Sequence, residues 1–195
     1  MRLPAQDAPL KDNEIVASVQ HWVKSFVVEL NLCPFAKREL MNDRIRFALT
    51  TAHSEKELVI ALQTELELLN QDDSIETTLL IHTEVLQDFY DYNQFLSVAD
   101  QLLRTMSLEG VYQIASFHPH YQFDGTHRDD AENYTNRSPH PLLHLLREES
   151  LTQAIANTPD IDQVPIRNIE QMNRIGKDRL HALLQASIHN HGDGN

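Results

Sequence analysis

The chain has little cysteine, little glycine and no long apolar run. Its one cysteine, Cys33, cannot close a disulfide within the chain, which excludes a secreted scaffold held together by disulfides. It has five glycines and neither a G-x-G-x-x-G nor a G-x-x-x-x-G-K pattern, so no nucleotide cofactor is predicted. No segment approaches the roughly 20 apolar residues that span a bilayer. The start, MRLPAQDAPLKDNE, has no apolar stretch, so we expect no signal peptide.

Positive charge is also scarce. The chain has 16 lysine and arginine residues against 29 aspartate and glutamate residues, a net charge of −13. Nucleic acids and anionic membranes attract an excess of positive charge, so we expect neither as a partner. The composition is compatible with a local basic pocket for a small-molecule ligand. It decides neither the oligomeric state nor whether a cofactor other than a nucleotide is bound. We expect a cytoplasmic protein, because a lone thiol suits a reducing compartment.

The apolar pattern predicts an α/β fold. We expect a single domain over residues 12–188, between flexible tails at 1–11 and 189–195. Apolar spacing predicts helices at about 12–32, 34–42, 54–69, 88–106, 139–155 and 169–184, and strands at 44–51, 77–83 and 111–117. Strands that are joined by crossover helices run parallel. The predicted fold is therefore a small, mainly parallel sheet of about three or four strands, with helices on both faces and a long ordered loop after the last strand.

That loop, Phe117 to Pro141, is the predicted location of a site. It holds four of the 11 histidines and three of the eight prolines, and it has neither helical nor strand periodicity. We expect it to be ordered, because four aromatic side chains within it are costly to leave in water. Ligands of α/β proteins bind beyond the carboxyl ends of parallel strands. His82 and His118 follow two such ends.

Cys33 and His118 are the predicted catalytic residues. Cys33 precedes Pro34, and proline suits the first position of a helix, so the thiol would lie at a helix N-cap. Free N–H groups there stabilise a thiolate. His118 would serve as its base in a nucleophile pair. The alternative is a buried, unreactive cysteine, since free cysteine is among the most buried residue types.

Anion-binding or substrate-binding residues are predicted mainly in the second half of the loop, which reads NYTNRSP. They are Asn133, Thr135, Asn136, Arg137 and Ser138, together with Tyr121 from the first half. Arg137 offers a planar fork to a carboxylate or a phosphate. A helix that begins just after this segment would add free N–H groups. The alternative is that these polar side chains brace the turns of the loop itself.

A metal site is the alternative for the same edge of the sheet. His118, Cys33, His82 and Glu84 could supply ligands to zinc or iron. Their spacing matches no standard motif, and the chain has neither H-E-x-x-H nor C-x-x-C. We therefore favour a site without a metal ion. If a metal ion is bound, we expect these four residues to supply its ligands.

Four segments carry a family resemblance: NLCPFA (31–36), TTLLIHT (77–83), ASFHPHYQF (115–123) and NYTNRSPHPLLHLLRE (133–148). Through them the chain resembles the domain-of-unknown-function family numbered 1415, a group of bacterial proteins, over roughly residues 12 to 185. The resemblance implies a single domain and draws attention to Cys33, His118 and Arg137, but it supplies no reaction. His120 stands where the family suggests an acidic residue, and His140 where it suggests an aromatic one.

Three functions are consistent with these residues. The first is a soluble small-molecule enzyme whose Cys33–His118 pair acts on an anionic substrate, in the class of acyl or amide hydrolysis or transfer. The second is a zinc- or iron-dependent enzyme. The third is a module that binds an anion or metabolite without catalysis.

Overall fold

A computed structural model describes residues 12–157 and 160–189. The predicted tail at 1–11 lies outside these residues, as does the tail at 189–195 except for His189, which ends the last helix. The elements are α1 (Asp12–Trp22), a π-helical segment (Val23–Val28), α2 (Ala36–Met41), β1 (Ile45–Thr50), α3 (Glu55–Gln71), β2 (Thr77–His82), α4 (Phe89–Thr105), β3 (Tyr112–Phe117), a 3-10 turn (Ala131–Thr135), β4 (Leu142–Arg147), α5 (Glu148–Ala156), a second 3-10 turn (Ile161–Gln163), α6 (Val164–Ile175) and α7 (Lys177–His189). None of the described helices is long and apolar enough to cross a membrane.

The four strands form one mixed sheet in the order β1-β2-β4-β3. β1 and β2 are parallel, whereas β4 is antiparallel to both β2 and β3. The α/β class is confirmed, but the prediction of a mainly parallel sheet is wrong, because β4 fills the place between β2 and β3. β1, β2 and β3 still point the same way. Their carboxyl ends therefore share one edge of the sheet, and β4 begins at that edge.

The segment LLHLLR at 142–147 is a strand, although its leucines predicted a helix beginning at Pro139 or Pro141. A short apolar run fits a buried strand as well as a helix, and leucine itself favours helices. Leu142, Leu143 and Leu145 are all buried. In this position the backbone of β4 occupies sheet edges of β2 and β3 that would otherwise be open.

The predicted last helix is two helices, α6 and α7, with a break at Gly176. This residue has a φ of 81°. Such a conformation is strained for residues that carry a Cβ atom and easy for glycine, so the helix ends there and a new one begins. The break allows α7 to lie against α1 and the 3-10 turn at Ala131–Thr135.

Apolar clusters cover both faces of the sheet. One cluster joins α3 and α4 to the sheet, and the other joins α1, the π-helical segment, α6 and α7 to it. Along β2, Leu80 belongs to the first cluster, whereas Leu79 and Ile81 belong to the second. This alternation is the period of an extended strand. It explains why the segment TTLLIHT is apolar throughout its centre.

One hydroxyl group holds the two ends of the long loop. Phe117 pairs with Leu142 in the sheet, so the chain leaves β3 and returns to β4 at the same point. The Tyr92 hydroxyl donates to the Leu142 carbonyl (2.8 Å) and accepts the Phe117 N–H (2.9 Å). Burial raises the pKa of Tyr92, which keeps the hydroxyl protonated. The loop is thus anchored to α4 where it begins and ends.

We expect Tyr92→Phe to lower the free energy of unfolding by about 1–3 kcal/mol, because it leaves the half-buried Phe117 N–H and the buried Leu142 carbonyl without their partner. Urea denaturation measures this change. The control is Tyr90→Phe on the same helix, where the side chain is 70% exposed. Equal stability of the two variants would show that the hydroxyl does not anchor the loop.

Candidate functional site

Cys33 and His118 lie on opposite faces of the sheet. Phe117 packs its ring against Trp22, with centroids 5.4 Å apart, and lines a cavity together with Cys33. The next residue, His118, packs its ring against Tyr92 on the α4 side, with centroids 5.1 Å apart. Consecutive residues of an extended chain point to opposite faces. The structure therefore does not bring the thiol and the imidazole together.

Cys33 is not at a helix N-cap. α2 begins at Ala36, with Phe35 as its N-cap residue. Cys33 is half-buried, and its carbonyl accepts the Ala36 N–H (3.3 Å) in a turn that precedes the helix. This turn is the physical reason that the predicted N-cap position is wrong. The cavity beside Cys33 has a volume of about 430 Å³, and no lysine, arginine or histidine is among the described residues that line it.

His82 and His118 are fully buried, neutral side chains. His82 donates its Nδ1–H to the Val85 carbonyl (2.9 Å), and the His118 Nδ1 accepts the His120 N–H (3.0 Å). Burial lowers the pKa of each imidazole to about 4. The backbone of Leu86 and Gln87 lies near His118 and opposes the lowering of its pKa, but within residues 12–157 and 160–189 no group completes a hydrogen bond with the Nε2 atom of either ring. A general base must come within hydrogen-bond reach of its substrate, and His118 offers no accessible surface for that.

The alternative set of metal ligands is dispersed. His82 and His118 lie at the carboxyl ends of β2 and β3, Glu84 is exposed, and Cys33 is on the other face of the sheet. Among residues 12–157 and 160–189, no group of three or more histidine, cysteine, aspartate or glutamate side chains could hold a metal ion. The geometry gives no support to a metal centre.

Arg137 is a buried cation that has no anionic partner among the described residues. Its side chain is 7% exposed, and its guanidinium carbon lies 4.5 Å from the centre of the Tyr134 ring. Nε donates to the Tyr121 carbonyl (3.1 Å) and Nη2 donates to the Arg128 carbonyl (2.7 Å). Within the described parts of the chain, no carboxylate forms an ion pair with it. Hydrogen bonds to described residues use two of the five N–H donors of the guanidinium, which leaves both Nη1–H donors and one Nη2–H donor unpaired within this part of the chain.

Arg137 lines a second cavity, with a volume of about 250 Å³. We call it the cationic cavity. The loop contributes His120, Arg128, Asp129 and Arg137 to its wall, and α7 contributes Lys177, His181, Leu184 and Ile188. Its one ion pair among described residues joins the Lys177 Nζ to Asp129 (2.6 Å). Arg128, Arg137 and Lys177 together make the wall of this cavity a local concentration of positive charge in a chain with a net charge of −13.

The pKa of His120 is affected by the charges of both Arg128 and Arg137. Burial lowers the pKa of His120, and the charges of Arg128 and Arg137 lower it further, against the weaker opposing effect of Asp88. An imidazole whose pKa is lowered is mostly neutral at pH 7. Both guanidinium charges therefore act on one point at the wall of the cationic cavity.

Asn133 braces the loop. Its Oδ1 accepts from the Phe123 N–H (2.9 Å) and from the Thr126 hydroxyl (3.0 Å), and its Nδ2 donates to the His127 carbonyl (2.9 Å). All of these partners belong to the loop itself. The structure assigns to Asn133 the bracing role that the sequence left as an alternative.

The other predicted anion-binding residues divide between two places. Ser138 lines the cationic cavity, but its hydroxyl donates to the His140 carbonyl (2.7 Å). Thr135 and Asn136 line the cavity beside Cys33 instead. Tyr121 lines neither of these two cavities: its ring packs against Phe89 and Phe123, and its carbonyl positions Arg137.

The expected helix N-terminus is absent from the described site, because strand β4 follows NYTNRSP. The positive groups are side chains instead, and several of them were missed. Lys177 and His181 are four residues apart on α7, a spacing that places two side chains on one helix face. This spacing could have indicated that Lys177 and His181 share a helix face. No sequence pattern indicated Arg128 as a site residue, since it stands in the acidic stretch HRDD.

Fold and cavity together define a small α/β protein with a cationic cavity formed by a hairpin loop and a C-terminal helix. The chain belongs to the family described as protein of unknown function (DUF1415), which matches residues 14–182. No curated protein and no solved structure matches the chain.

We expect the free energy of unfolding to fall as the pH is lowered from about 6.5 to about 4. The native His82 stays neutral in this window while the unfolded histidine binds a proton, so acid favours the unfolded state. His82→Asn removes roughly 2–3 kcal/mol of this pH dependence, since one pKa unit corresponds to about 1.4 kcal/mol. Urea denaturation at several pH values measures it, with the exposed His53→Asn as control. If the free energy of unfolding of His82→Asn changed with pH as steeply as that of the unchanged protein, His82 would not be the buried neutral group that causes this dependence.

Proposed function

We propose that this protein binds a small anionic ligand, a carboxylate or a phosphate, in the cationic cavity. One observation carries the proposal: Arg137 is a buried guanidinium that lines a cavity and has no carboxylate partner among the described residues. Buried charges in proteins are normally paired, because desolvation of an ion costs several kcal/mol. A bound anion would supply the missing partner.

The groups around Arg137 hold its guanidinium in place without neutralising it. The carbonyls of Tyr121 and Arg128 accept its Nε–H and one Nη2–H, and the Tyr134 ring lies against its face. These contacts fix the side chain and offset part of the desolvation cost. A cation that is fixed before the ligand arrives loses little conformational entropy on binding.

The acidic remainder of the chain supports the same function. The net negative charge of the chain repels anions while the cationic cavity attracts them, so the field favours the approach of a small anion at the cavity. Binding, rather than covalent catalysis, is the function proposed, since no cysteine is among the described residues of this cavity. Its one described serine, Ser138, donates its hydroxyl to a backbone carbonyl.

We expect Arg137→Gln to weaken anion binding by about tenfold or more, because it removes a charge-assisted hydrogen-bond donor. Isothermal titration calorimetry with sulfate, inorganic phosphate, acetate and succinate measures the affinity of each probe. The matched control is Arg104→Gln on α4, whose side chain is 47% exposed and lies outside the cavity. An affinity that is the same in both variants would contradict the proposal.

Arg137 also braces the loop, so a second variant separates binding from folding. Arg128 is exposed, and its side chain makes no hydrogen bond or ion pair with the described residues. We expect Arg128→Gln to leave the free energy of unfolding unchanged and to weaken binding by about threefold to tenfold. Unchanged binding of every probe in Arg128→Gln would count against the cavity as the site.

We expect Cys33→Ser to leave the affinity for these probes unchanged within about twofold, because Cys33 lines the other cavity. The same calorimetry measures it. A loss of binding comparable to that in Arg137→Gln would show that the two cavities act together and would return Cys33 to the site.

A further inference from the structure

The charges of the cationic cavity narrow the class of ligand. We propose that the ligand is a small phosphate monoester, whose dianionic phosphate lies between Arg137, Arg128 and His120 and whose organic part lies against α7. This inference rests on the proposed function, since it names the kind of anion that the same cavity binds.

The number of uncompensated charges favours a dianion. Lys177 and Asp129 form an ion pair at 2.6 Å and offset each other. The guanidinium groups of Arg128 and Arg137 remain, and neither forms an ion pair with a described carboxylate. Two positive charges attract a dianion more strongly than a monoanion such as a simple carboxylate, since the Coulomb energy grows with the charge of the ligand. A phosphate monoester carries a charge of about −1.5 to −2 at pH 7 and matches both.

The position of the two charges favours a single anionic group. Arg128, Arg137 and His120 all line the cationic cavity, and, beyond the effect of burial, both guanidinium charges lower the pKa of the His120 imidazole. The cations therefore converge on one region of the wall. A phosphate concentrates two charges on one group, whereas a dicarboxylate separates them along a chain.

The free donors also suit a phosphate. Arg137 keeps its Nη1–Nη2 edge, which can make two parallel hydrogen bonds to phosphate oxygens. The side chain of His120 has no hydrogen-bond partner among the described residues, and a neutral imidazole provides one N–H donor. A phosphate presents three oxygens that can accept from these donors at once.

The rest of the cavity has room for a short organic part. Its volume of about 250 Å³ corresponds to roughly eight water-sized groups at about 30 Å³ each, more than a phosphate alone occupies. The wall opposite the loop includes Leu184 and Ile188 of α7. Apolar atoms of the ligand would lose water-accessible surface there, which favours a carbon chain over a second charged group.

The test compares ligands that differ in one property each. Calorimetry at pH 8 with methyl phosphate, dimethyl phosphate, propyl phosphate and succinate varies charge, carbon chain and the separation of charges. We expect methyl phosphate to bind about tenfold more tightly than dimethyl phosphate, which is tetrahedral but carries one charge, and than succinate. We expect propyl phosphate to bind about twofold to fivefold more tightly than methyl phosphate.

Arg128→Gln provides the matched variant. We expect it to reduce the preference for methyl phosphate over dimethyl phosphate to about threefold or less, since one of the two cations is removed. Equal binding of the two phosphates by the unchanged protein, or tighter binding of succinate, would overturn the inference while the anion-binding function stands. No binding of any probe, including acetate and sulfate, would overturn the proposed function itself.

Discussion

The pairing of β3 with β4 is the constraint on which the site depends. Phe117 and Leu142 are partners in the sheet, so the segment between them must leave and return at one place. The Tyr92 hydroxyl binds both ends of this segment. Arg137, in the returning half, then binds the carbonyls of Tyr121 and Arg128 in the outgoing half. A loop that is closed at its base and tied across its middle holds its side chains in fixed positions.

Electrostatics gives this loop its chemical character. The structure places a guanidinium where solvent is largely excluded and surrounds it with neutral groups, two carbonyls and the Tyr134 ring. The nearby carboxylate of Asp129 pairs with Lys177 of α7 instead. The wall of the cationic cavity, between the loop and α7, thus carries three lysine and arginine side chains against one aspartate in a protein of net charge −13. This separation of charge supports the proposal of an anionic ligand.

Local sequence signals predicted much of the framework. The helix predicted at about 54–69 is α3, and the Ser54 hydroxyl caps its first turn by accepting the Glu57 N–H (3.3 Å). The alternation of helices and strands along the chain also predicts that the carboxyl ends of β1, β2 and β3 lie at one edge of the sheet, with the long loop beside them. β4 could not be recognised, because LLHLLR has a leucine-rich composition that fits helix and strand equally, and its place is fixed only by β2 and β3.

The site was predicted only in part, for two physical reasons. Whether Cys33 meets His118 depends on which face of the sheet each side chain points to, and a shift of one residue in an extended chain reverses that face. Lys177 and His181 reach the loop through the packing of α7, which the sequence pattern of neither segment specifies. Arg137 could be predicted as an anion-binding candidate from the sequence, because the guanidinium of an arginine in a polar loop suits carboxylates and phosphates whatever its surroundings.

A crystal structure of the protein grown with methyl phosphate would show directly whether Arg137 binds an anion. We expect tetrahedral density in the cationic cavity, with phosphate oxygens within hydrogen-bond distance of the Nη1–Nη2 edge of Arg137 and close to Arg128 and His120. A structure in which this cavity holds only water, while the Arg137 side chain keeps its bonds to the Tyr121 and Arg128 carbonyls, would contradict anion binding and leave Arg137 as a brace of the loop.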